Sequence, residues 1–218
     1  MTVPPSEAIV VMARAPQPGR VKTRLIPELG AEGACDLHAR LLQATLAVCL
    51  ASGRPVFCFT TAALDAGAFD PARRVHWAGQ SGGDLGQRMQ AALARLHARF
   101  ARLLLVGSDC PVLDTSYLDD GFAQLARHDF VLGPAEDGGY VLIGSSLPSA
   151  WLGTDRLAGT RFGGPHACQD TRVALTDCGT LAELATLWDI DDGADLLRAR
   201  ESGILASVGM DGVRSTPC

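Results

Sequence analysis

Leu103-Leu-Leu-Val-Gly-Ser-Asp-Cys-Pro111 is the stretch from which the fold of this chain is best inferred. Its four apolar residues run without a polar break and end at Gly107, which is typical of a strand buried on both faces of an α/β sheet. Such sheets bind ligands just past the carboxyl ends of their strands. Asp109 lies there, with no Lys or Arg among the next five residues. A carboxylate so placed suits a hard cation such as Mg²⁺ carrying a phosphate, although a turn-opening role explains it equally well.

The composition bounds the class of protein. The chain has 218 residues, 47% of them apolar, which suits one sizeable domain with a large core. A net charge of −5 and the lack of a Lys/Arg run argue against a nucleic-acid partner. We see neither an uninterrupted apolar run long enough to span a membrane nor a secretory signal. Seven scattered cysteines without a Cys-x-x-Cys pair suit a reducing compartment, so we expect a cytoplasmic protein.

Hydrophobic periodicity predicts an alternation of strands and helices within one domain over residues 1–201. Short apolar runs predict strands over residues 7–12, 55–60, 74–77, 103–106, 130–133, 141–144 and 172–175. Helical spacing predicts helices over residues 32–51, from 85 to about 100, over 113–126 and 181–187, and a last one capped by Asp192. Residues 147–166 are predicted to form an irregular lid or insertion, and 202–218 a loosely held tail.

A basic loop follows the first predicted strand. Ala13-Arg-Ala-Pro-Gln-Pro-Gly-Arg-Val-Lys-Thr-Arg-Leu25 holds four cations, two prolines and Gly19. A strand followed by such a loop is typical of a phosphate cradle, in which backbone N–H groups and cationic side chains bind oxyanions. A solvated basic loop is the plainer alternative, but the clustering of Arg14, Arg20, Lys22 and Arg24 in an acidic protein favours the cradle.

Two further segments have both a structural and a functional interpretation. Asp84 precedes a predicted helix and is interpreted first as its N-cap, while Arg88 lies one turn further on. The loop Glu136-Asp-Gly-Gly-Tyr140 joins two predicted strands. A hairpin turn explains it, and a substrate-facing loop whose glycines admit a sugar or phosphate explains it about as well.

Four motifs in order resemble a known family. They are Met12-Ala-Arg-Ala-Pro-Gln-Pro-Gly-Arg-Val-Lys-Thr-Arg-Leu25, Asp84-Leu-Gly-Gln-Arg-Met89, Gly107-Ser-Asp-Cys-Pro111 and Gly133-Pro-Ala-Glu-Asp-Gly-Gly-Tyr140. The chain resembles, over roughly residues 7–200, the bacterial GT-A-type radical-SAM/selenodomain-associated transferases of the nucleotide-diphospho-sugar transferase superfamily. The resemblance implies a three-layer α/β/α fold with a mixed, mostly parallel sheet.

The resemblance also implies roles for particular residues. Val21-Lys-Thr-Arg-Leu25 is similar to the loop of 2-phospholactate guanylyltransferases that meets the nucleoside triphosphate, which implies that role for Lys22 and Arg24. Asp109 matches the superfamily's metal aspartate, and Asp191 matches its second metal ligand, so Mg²⁺ or Mn²⁺ is the implied cofactor. The chain departs from the family after Asp191, where it reads Asp-Gly-Ala-Asp-Leu, and at Gly163-Gly-Pro-His-Ala-Cys168.

These observations give four sets of candidate residues. The catalytic set is Lys22, Arg24 and Asp109, and the metal set is Asp109 and Asp191. The nucleotide-binding set is Ala13, Arg14, Gly19, Arg20, Lys22, Arg24, Asp84 and Arg88. The substrate-binding set is Glu136, Asp137, Gly138, Gly139 and Tyr140.

The leading functional hypothesis is metal-dependent nucleotidyl transfer from a nucleoside triphosphate to a small phosphorylated acceptor. The alternatives are a glycosyltransferase that uses a nucleotide-diphospho-sugar and a non-catalytic nucleotide-binding module. The five histidines show no ligand spacing and are interpreted as surface or packing residues. A covalent role for Cys110 is set aside because the neighbouring Asp109 disfavours a thiolate.

Overall fold

The structure, a computed structural model, describes residues 6–207. Its strands are β1 (Glu7–Ala13), β2 (Val56–Thr60), β3 (Val75–Gly79), β4 (Arg102–Val106), β5 (Phe130–Pro134), β6 (Tyr140–Ser145) and β7 (Leu181–Glu183). Its helices are α1 (Ile26–Ala51), α2 (Ala66–Phe69), α3 (Leu85–His97), α4 (Thr115–Leu125), α5 (Ala167–Thr176), α6 (Gly193–Glu201) and α7 (Ile204–Ser207). Short 3₁₀ turns lie at Thr23–Leu25 and Pro148–Ala150.

The strands form one mixed sheet in the order β3-β2-β1-β4-β6-β5-β7. The pairs β1·β2, β1·β4, β2·β3 and β5·β7 are parallel, whereas β6 runs antiparallel to both β4 and β5. The carboxyl ends of β1 and β4 therefore meet at the same edge of the sheet, which brings the basic loop close to Asp109.

Strand β4 lies at the middle of the sheet, as its apolar run predicts. Leu104 and Val106 pack under α1 and α4 on one face, while Leu103 and Leu105 pack under α3 and α5 on the other. All four side chains are at most 3% exposed. Two helical layers thus enclose the sheet, and the predicted three-layer α/β/α arrangement with a mostly parallel mixed sheet is confirmed.

A third apolar cluster fastens the end of the chain to α1. Leu37 and Leu41 of α1 pack against Trp188, Ile190 and the buried face of α6. Leu205 of α7 belongs to the same cluster and is 5% exposed. Within the predicted loosely held tail, 202–218, Ile204–Ser207 form α7, whose Leu205 belongs to this cluster. The remainder of that tail, residues 208–218, lies outside the described residues.

Two predicted elements have the opposite type in the structure. The predicted strand 172–175 lies inside α5, whose buried residues Cys168, Thr171 and Leu175 follow helical spacing. The predicted helix 181–187 instead begins with β7, which pairs with β5 at the edge of the sheet. Both segments are short and apolar, so the contact that each makes with the sheet overrides its local preference.

Helix α1 is the longest helix of the described residues. Gly30, with φ of 69°, interrupts its first turns, and the predicted helix 32–51 corresponds to the continuous part that follows. The segment Thr23–Ala51 is long and apolar enough to span a membrane by length and composition, and 44% of its most apolar window is buried within the protein. Its side chains Leu42 and Leu46 pack on the sheet, so the core accounts for that apolar face.

Candidate active site

A cavity of about 570 Å³ opens at the carboxyl ends of β1 and β4. Several segments of the chain line it, most of them at the end of a strand or the start of a helix. They contribute Ala13, Arg14, Lys22, Arg24, His38, Thr61, Gln80, Arg88, Asp109, Asp137, Gly139, Tyr140, Phe162, Asp189 and Asp191, among others. The position agrees with the rule that open α/β sheets bind ligands beyond the carboxyl ends of their strands.

The centre of the cavity is an ammonium group between two carboxylates. Lys22 Nζ lies 3.1 Å from Asp109 Oδ2 and 2.8 Å from Asp191 Oδ1. The Lys22 side chain is only 4% exposed, although both carboxylates are open to the cavity. The structure thus brings together the basic loop, the central strand and the late acidic segment, which are far apart in the sequence.

Backbone contacts position the three side chains. Lys22 adopts a left-handed conformation, with φ of 45° and ψ of 44°, and its carbonyl oxygen accepts a hydrogen bond from Leu25 N. Ile190 N donates to the Asp109 carbonyl oxygen (3.2 Å), which joins the late segment to the end of β4. Because Ile190 is buried between them, Asp189 and Asp191 both reach the cavity.

The electrostatics of this group favour the charged forms. Burial alone would raise the pKa of Asp109, but the charge of Lys22 and a contact with His38 hold that pKa well below its usual range. Burial likewise acts to lower the pKa of Lys22, yet the charges of Asp109 and Asp191 raise it above its ordinary value. The cavity therefore contains the cationic Lys22 next to an ionised Asp109 at neutral pH.

The two carboxylates fit a hard divalent cation. The ammonium of Lys22 already stands at a point that both carboxylates contact, which shows that they converge on one positive charge. Within residues 6–207, no group of three His, Cys, Asp or Glu side chains forms a metal-binding cluster. A metal here would thus have two protein carboxylates, with water or phosphate at its remaining positions, as is usual for Mg²⁺.

Guanidinium groups line the cavity around this centre. Arg24 Nη1 lies 3.8 Å from Asp191 Oδ2, and 66% of the Arg24 side chain is exposed. The Arg88 guanidinium donates to Gln80 Oε1 and to the Gly83 carbonyl oxygen. Together with Arg14, these side chains could bind the oxygens of a phosphate chain that enters the cavity.

The acidic residues Asp137 and Asp189 lie on another side of the cavity. Ala135 and Leu187 form a parallel bridge two residues before these aspartates, and both aspartate side chains line the cavity. Burial and, to a smaller extent, the neighbouring charge of Asp137 raise the pKa of Asp189 to about 7. This side of the cavity can accept hydrogen bonds from the hydroxyl groups of a substrate.

We expect Asp189→Asn to stabilise the metal-free protein at pH 8. The pKa of Asp189 is raised from 3.8 to about 7 on folding, so the stability present below pH 3.8 is lost as the pH rises through 7. In EDTA, the Tm of the variant should exceed that of the wild type by about 2–4 °C at pH 8. The difference should vanish near pH 4. Asp155→Asn, at an exposed aspartate, is the control. An equal difference at both pH values would contradict the prediction.

A segment without regular structure closes one side of the cavity, as predicted for residues 147–166. Apart from the turn Pro148–Ala150, it has neither helix nor strand. Its Phe162 ring meets Tyr140 edge-on, with centroids 6.4 Å apart, and both rings line the cavity. Gly86 lets the segment approach α3, because a Cβ there would lie 3.0 Å from Leu157 Cβ.

The family of the chain follows from its sequence. The profile of DUF2064, described as an uncharacterized protein conserved in bacteria, matches residues 32–163, which is more than half of the chain. The chain belongs to the DUF2064 family. None of the curated proteins matches it.

Solved structures show the same fold for this DUF2064 protein. A provisionally assigned nucleotide-diphospho-sugar transferase from Desulfovibrio desulfuricans G20 has a TM-score of 0.75 and 23% identity, over 94% of this chain and 98% of that one. Rv0371c from Mycobacterium tuberculosis H37Rv, in complex with manganese, has a TM-score of 0.56 and 20% identity, over 90% and 99% of the chains. The 4-diphosphocytidyl-2C-methyl-D-erythritol synthase from Anaerococcus prevotii DSM 20548 has a TM-score of 0.61 and 8% identity, over 91% and 98%. These likenesses establish the nucleotide-diphospho-sugar transferase-like fold.

The cavity of this DUF2064 protein contains most, but not all, of the predicted site residues. Those that line it are Ala13, Arg14, Lys22, Arg24, Arg88, Asp109, Asp137, Gly139, Tyr140 and Asp191. Those that do not line it are Gly19, Arg20, Asp84, Glu136 and Gly138. Each of these five residues either stabilises a local part of the fold or lies exposed on the surface.

Each of the five has an identifiable local setting. Gly19 and Arg20 lie in an exposed turn. Asp84 caps α3, because its side chain accepts a hydrogen bond from Gln87 N in a capping box. Gly138 has φ of +87°, and a Cβ there would lie 2.3 Å from the Pro165 carbonyl oxygen. The absence of a side chain at Gly138 therefore allows the backbone at Pro165 to pack closely against it.

Glu136 is tied to the surface of α6. Arg198 Nη1 donates to Glu136 Oε2 at 2.6 Å, and Arg198 Nη2 donates to Glu136 Oε1 at 3.1 Å. The same guanidinium stacks over Trp188, 4.2 Å from the ring centroid. The sequence predicts Glu136 as a substrate ligand because of the loop in which it lies. In the structure, its carboxylate pairs with Arg198 and does not line the cavity.

We therefore expect Glu136→Gln to keep its activity within about threefold of the wild type, because exposed ion pairs contribute little. Asp137→Asn is the matched comparison in the same loop, and it should lower kcat/KM because its carboxylate lines the cavity. The activity assay described below measures both. A larger loss for Glu136→Gln than for Asp137→Asn would show that the loop is misassigned.

The predicted set lacks several polar residues of the cavity, among them His38, Gln80 and Asp189. His38, interpreted as a packing residue, places Nδ1 3.7 Å from Asp109 Oδ1, and its Nε2 lies 2.9 Å from the Arg14 carbonyl oxygen. Gln80 donates to the carbonyl oxygens of Ala13 and Phe59. Asp189 is the third.

The position of Gln80 and of Asp189 in the sequence could have identified both as candidate site residues. Gln80 directly follows β3, at the same sheet edge as Asp109, and Asp189 shares an extended segment with Asp191. For His38 the signal was only a polar residue on the apolar face of α1. In contrast, the exclusion of Cys110 agrees with the structure, since burial raises the pKa of its thiol to about 11.

Proposed function

We propose that this DUF2064 protein is a divalent-metal-dependent nucleotidyltransferase that acts on a nucleoside triphosphate and a small phosphorylated acceptor. The observation that carries the proposal is the convergence of Lys22, Asp109 and Asp191 in a cavity that Arg14, Arg24 and Arg88 also line. Cations that can hold phosphates thus surround two carboxylates that can hold a metal.

In this reaction, a phosphate oxygen of the acceptor forms a bond to the α-phosphorus, and the bond to the β-phosphate breaks with release of pyrophosphate. Lys22 and the three arginines would bind and orient the phosphate chain and stabilise the charge that develops on it. Asp109 and Asp191 would hold Mg²⁺ or Mn²⁺, which supplies additional positive charge for the departing pyrophosphate. Asp137 and Asp189 would bind the hydroxyl groups of the acceptor.

The structural neighbours support nucleotidyl transfer at a general level. One neighbour is a diphosphocytidyl-methylerythritol synthase, and another was crystallised with manganese. Six described cysteines are free thiols, which is usual in the reducing cytoplasm, where we propose that the protein acts. The seventh, Cys218, lies outside the described residues.

Glycosyl transfer from a nucleotide-diphospho-sugar is the second candidate. The neighbour from Desulfovibrio desulfuricans G20 carries that provisional assignment. The cavity also extends past the phosphate-binding side to Gly139, Tyr140 and Phe162, where a donor sugar could lie. Against it, a single carboxylate, Asp109, stands at the end of the central strand, where many glycosyltransferases of this superfamily have two.

Product analysis separates the candidates. The purified protein is incubated with each of CTP, GTP, UTP and ATP, a panel of sugar phosphates, and Mg²⁺ or Mn²⁺. Nucleotidyl transfer predicts acceptor-dependent release of pyrophosphate. Turnover of UDP-glucose without pyrophosphate release would favour glycosyl transfer instead. Tight nucleotide binding without any turnover would indicate a non-catalytic module.

A further inference from the structure

Lys22 stands between the same two carboxylates that the proposed function assigns to the metal. Its Nζ contacts Asp109 Oδ2 at 3.1 Å and Asp191 Oδ1 at 2.8 Å, and its side chain is 4% exposed. An ammonium and a divalent cation cannot share those oxygens at these distances without strong repulsion. The Lys22 ammonium would therefore compete with the metal for the two carboxylates.

The ion pair is built into the fold. Val21 and Leu25, on either side of the loop that carries Lys22, are at most 1% exposed. Lys22 itself holds a left-handed backbone conformation that non-glycine residues adopt rarely. The core thus holds the backbone of Lys22 in place, while its four-carbon stem leaves the ammonium able to move.

A triphosphate offers the ammonium another set of oxygens. The cavity beside Lys22 is lined by Arg14, Arg24 and Arg88, where phosphates would bind. Rotation about the side-chain bonds of Lys22 would move Nζ toward those phosphates without a change in the backbone. That movement would remove the Lys22 charge from both Asp109 and Asp191, which would keep only the longer contacts to His38 and Arg24.

We propose that Lys22 is the resident counter-cation of the metal site, and that a divalent metal binds there only when a triphosphate has drawn the ammonium away. This inference rests on the proposed function, which assigns the two carboxylates to the metal. It adds an order of binding: the metal enters with or after the nucleotide and does not bind to the empty site. Lys22 thus determines when the site accepts metal.

The test measures Mn²⁺ binding to the full chain by electron paramagnetic resonance of free Mn²⁺, with the metal alone as probe. The wild type and Lys22→Arg should show no saturable binding up to millimolar metal. Lys22→Met should bind Mn²⁺ at least about tenfold more tightly, because two carboxylates are then free of their ammonium. The double variant with Lys22→Met and Asp191→Asn is the matched control and should lose that binding.

Equal affinity of the wild type and Lys22→Met for Mn²⁺ alone would overturn the inference. If Lys22→Met does not fold, judged by circular dichroism, the wild type still decides, since tight binding of Mn²⁺ alone overturns it. Titrations of wild type with each of the four triphosphates, with and without Mn²⁺, complete the test. Mn²⁺-dependent triphosphate binding together with tight binding of Mn²⁺ alone refutes only this inference. If the triphosphates bind equally well with and without Mn²⁺, or do not bind at all, the metal-dependent function is refuted as well.

Discussion

Asp109→Asn should reduce pyrophosphate release by roughly a hundredfold to a thousandfold, the loss typical when one preorganised charge-stabilising group is removed. The substitution preserves the size of the side chain but removes the charge that contacts Lys22 at 3.1 Å and that would hold the metal. Ser108 Oγ, which donates to Asp109 Oδ1 at 3.2 Å, can still reach the amide oxygen. The loss should therefore come from charge and not from a collapsed loop.

The measurement is kcat/KM for pyrophosphate release, with the far-ultraviolet circular dichroism of each variant as the test of folding. Asp36→Asn is the matched control, since this exposed aspartate of α1 pairs with Arg40 one turn further along the helix. It should leave kcat/KM unchanged. Retention of more than about a tenth of the activity by Asp109→Asn would contradict a metal-binding or charge-stabilising role.

Leu104→Ala should lower the free energy of unfolding by about 2–5 kcal/mol. Leu104 is fully buried in β4. Its side chain occupies the space next to Gly121 and Gly144, because a Cβ at either glycine would lie 3.0 Å or less from a Leu104 methyl carbon. Removal of that side chain leaves a cavity between α4, β4 and β6 that the two glycines cannot fill.

Urea denaturation measures this change. Leu152→Ala is the control, because its side chain is 58% exposed and its loss should alter the free energy of unfolding by less than about 0.5 kcal/mol. A cost below about 1 kcal/mol for Leu104→Ala would mean that β4 is not the packed central strand of the sheet.

Much of the fold follows from local pattern. Leu103–Val106 predicts a doubly buried strand, and Asp192 predicts the start of α6, because these signals involve neighbouring residues only. The type of α5 and β7 depends on which surface each segment meets, and no local signal carries that information. Leu205 is buried for the same reason, through a contact with α1.

The site could be predicted in part. Asp109 follows from its position after a buried strand, and Lys22 from a basic loop after the first strand. That Lys22 would contact Asp109 and Asp191 could not be inferred, because the contact joins residues 169 positions apart in the sequence. Glu136 shows the converse case, since its loop borders the cavity but its ion-pair partner, Arg198, lies on a distant helix.

The central claim is that the carboxylates at the end of β4 and before α6 serve a metal-bound triphosphate. Titration calorimetry of CTP, GTP, UTP, ATP and UDP-glucose, with Mg²⁺ or Mn²⁺, on the wild type and on Asp109→Ala tests it most directly. We expect metal-dependent binding of a triphosphate to the wild type and loss of that binding in Asp109→Ala. Preference for UDP-glucose, or triphosphate binding that survives both the substitution and removal of the metal, would contradict it.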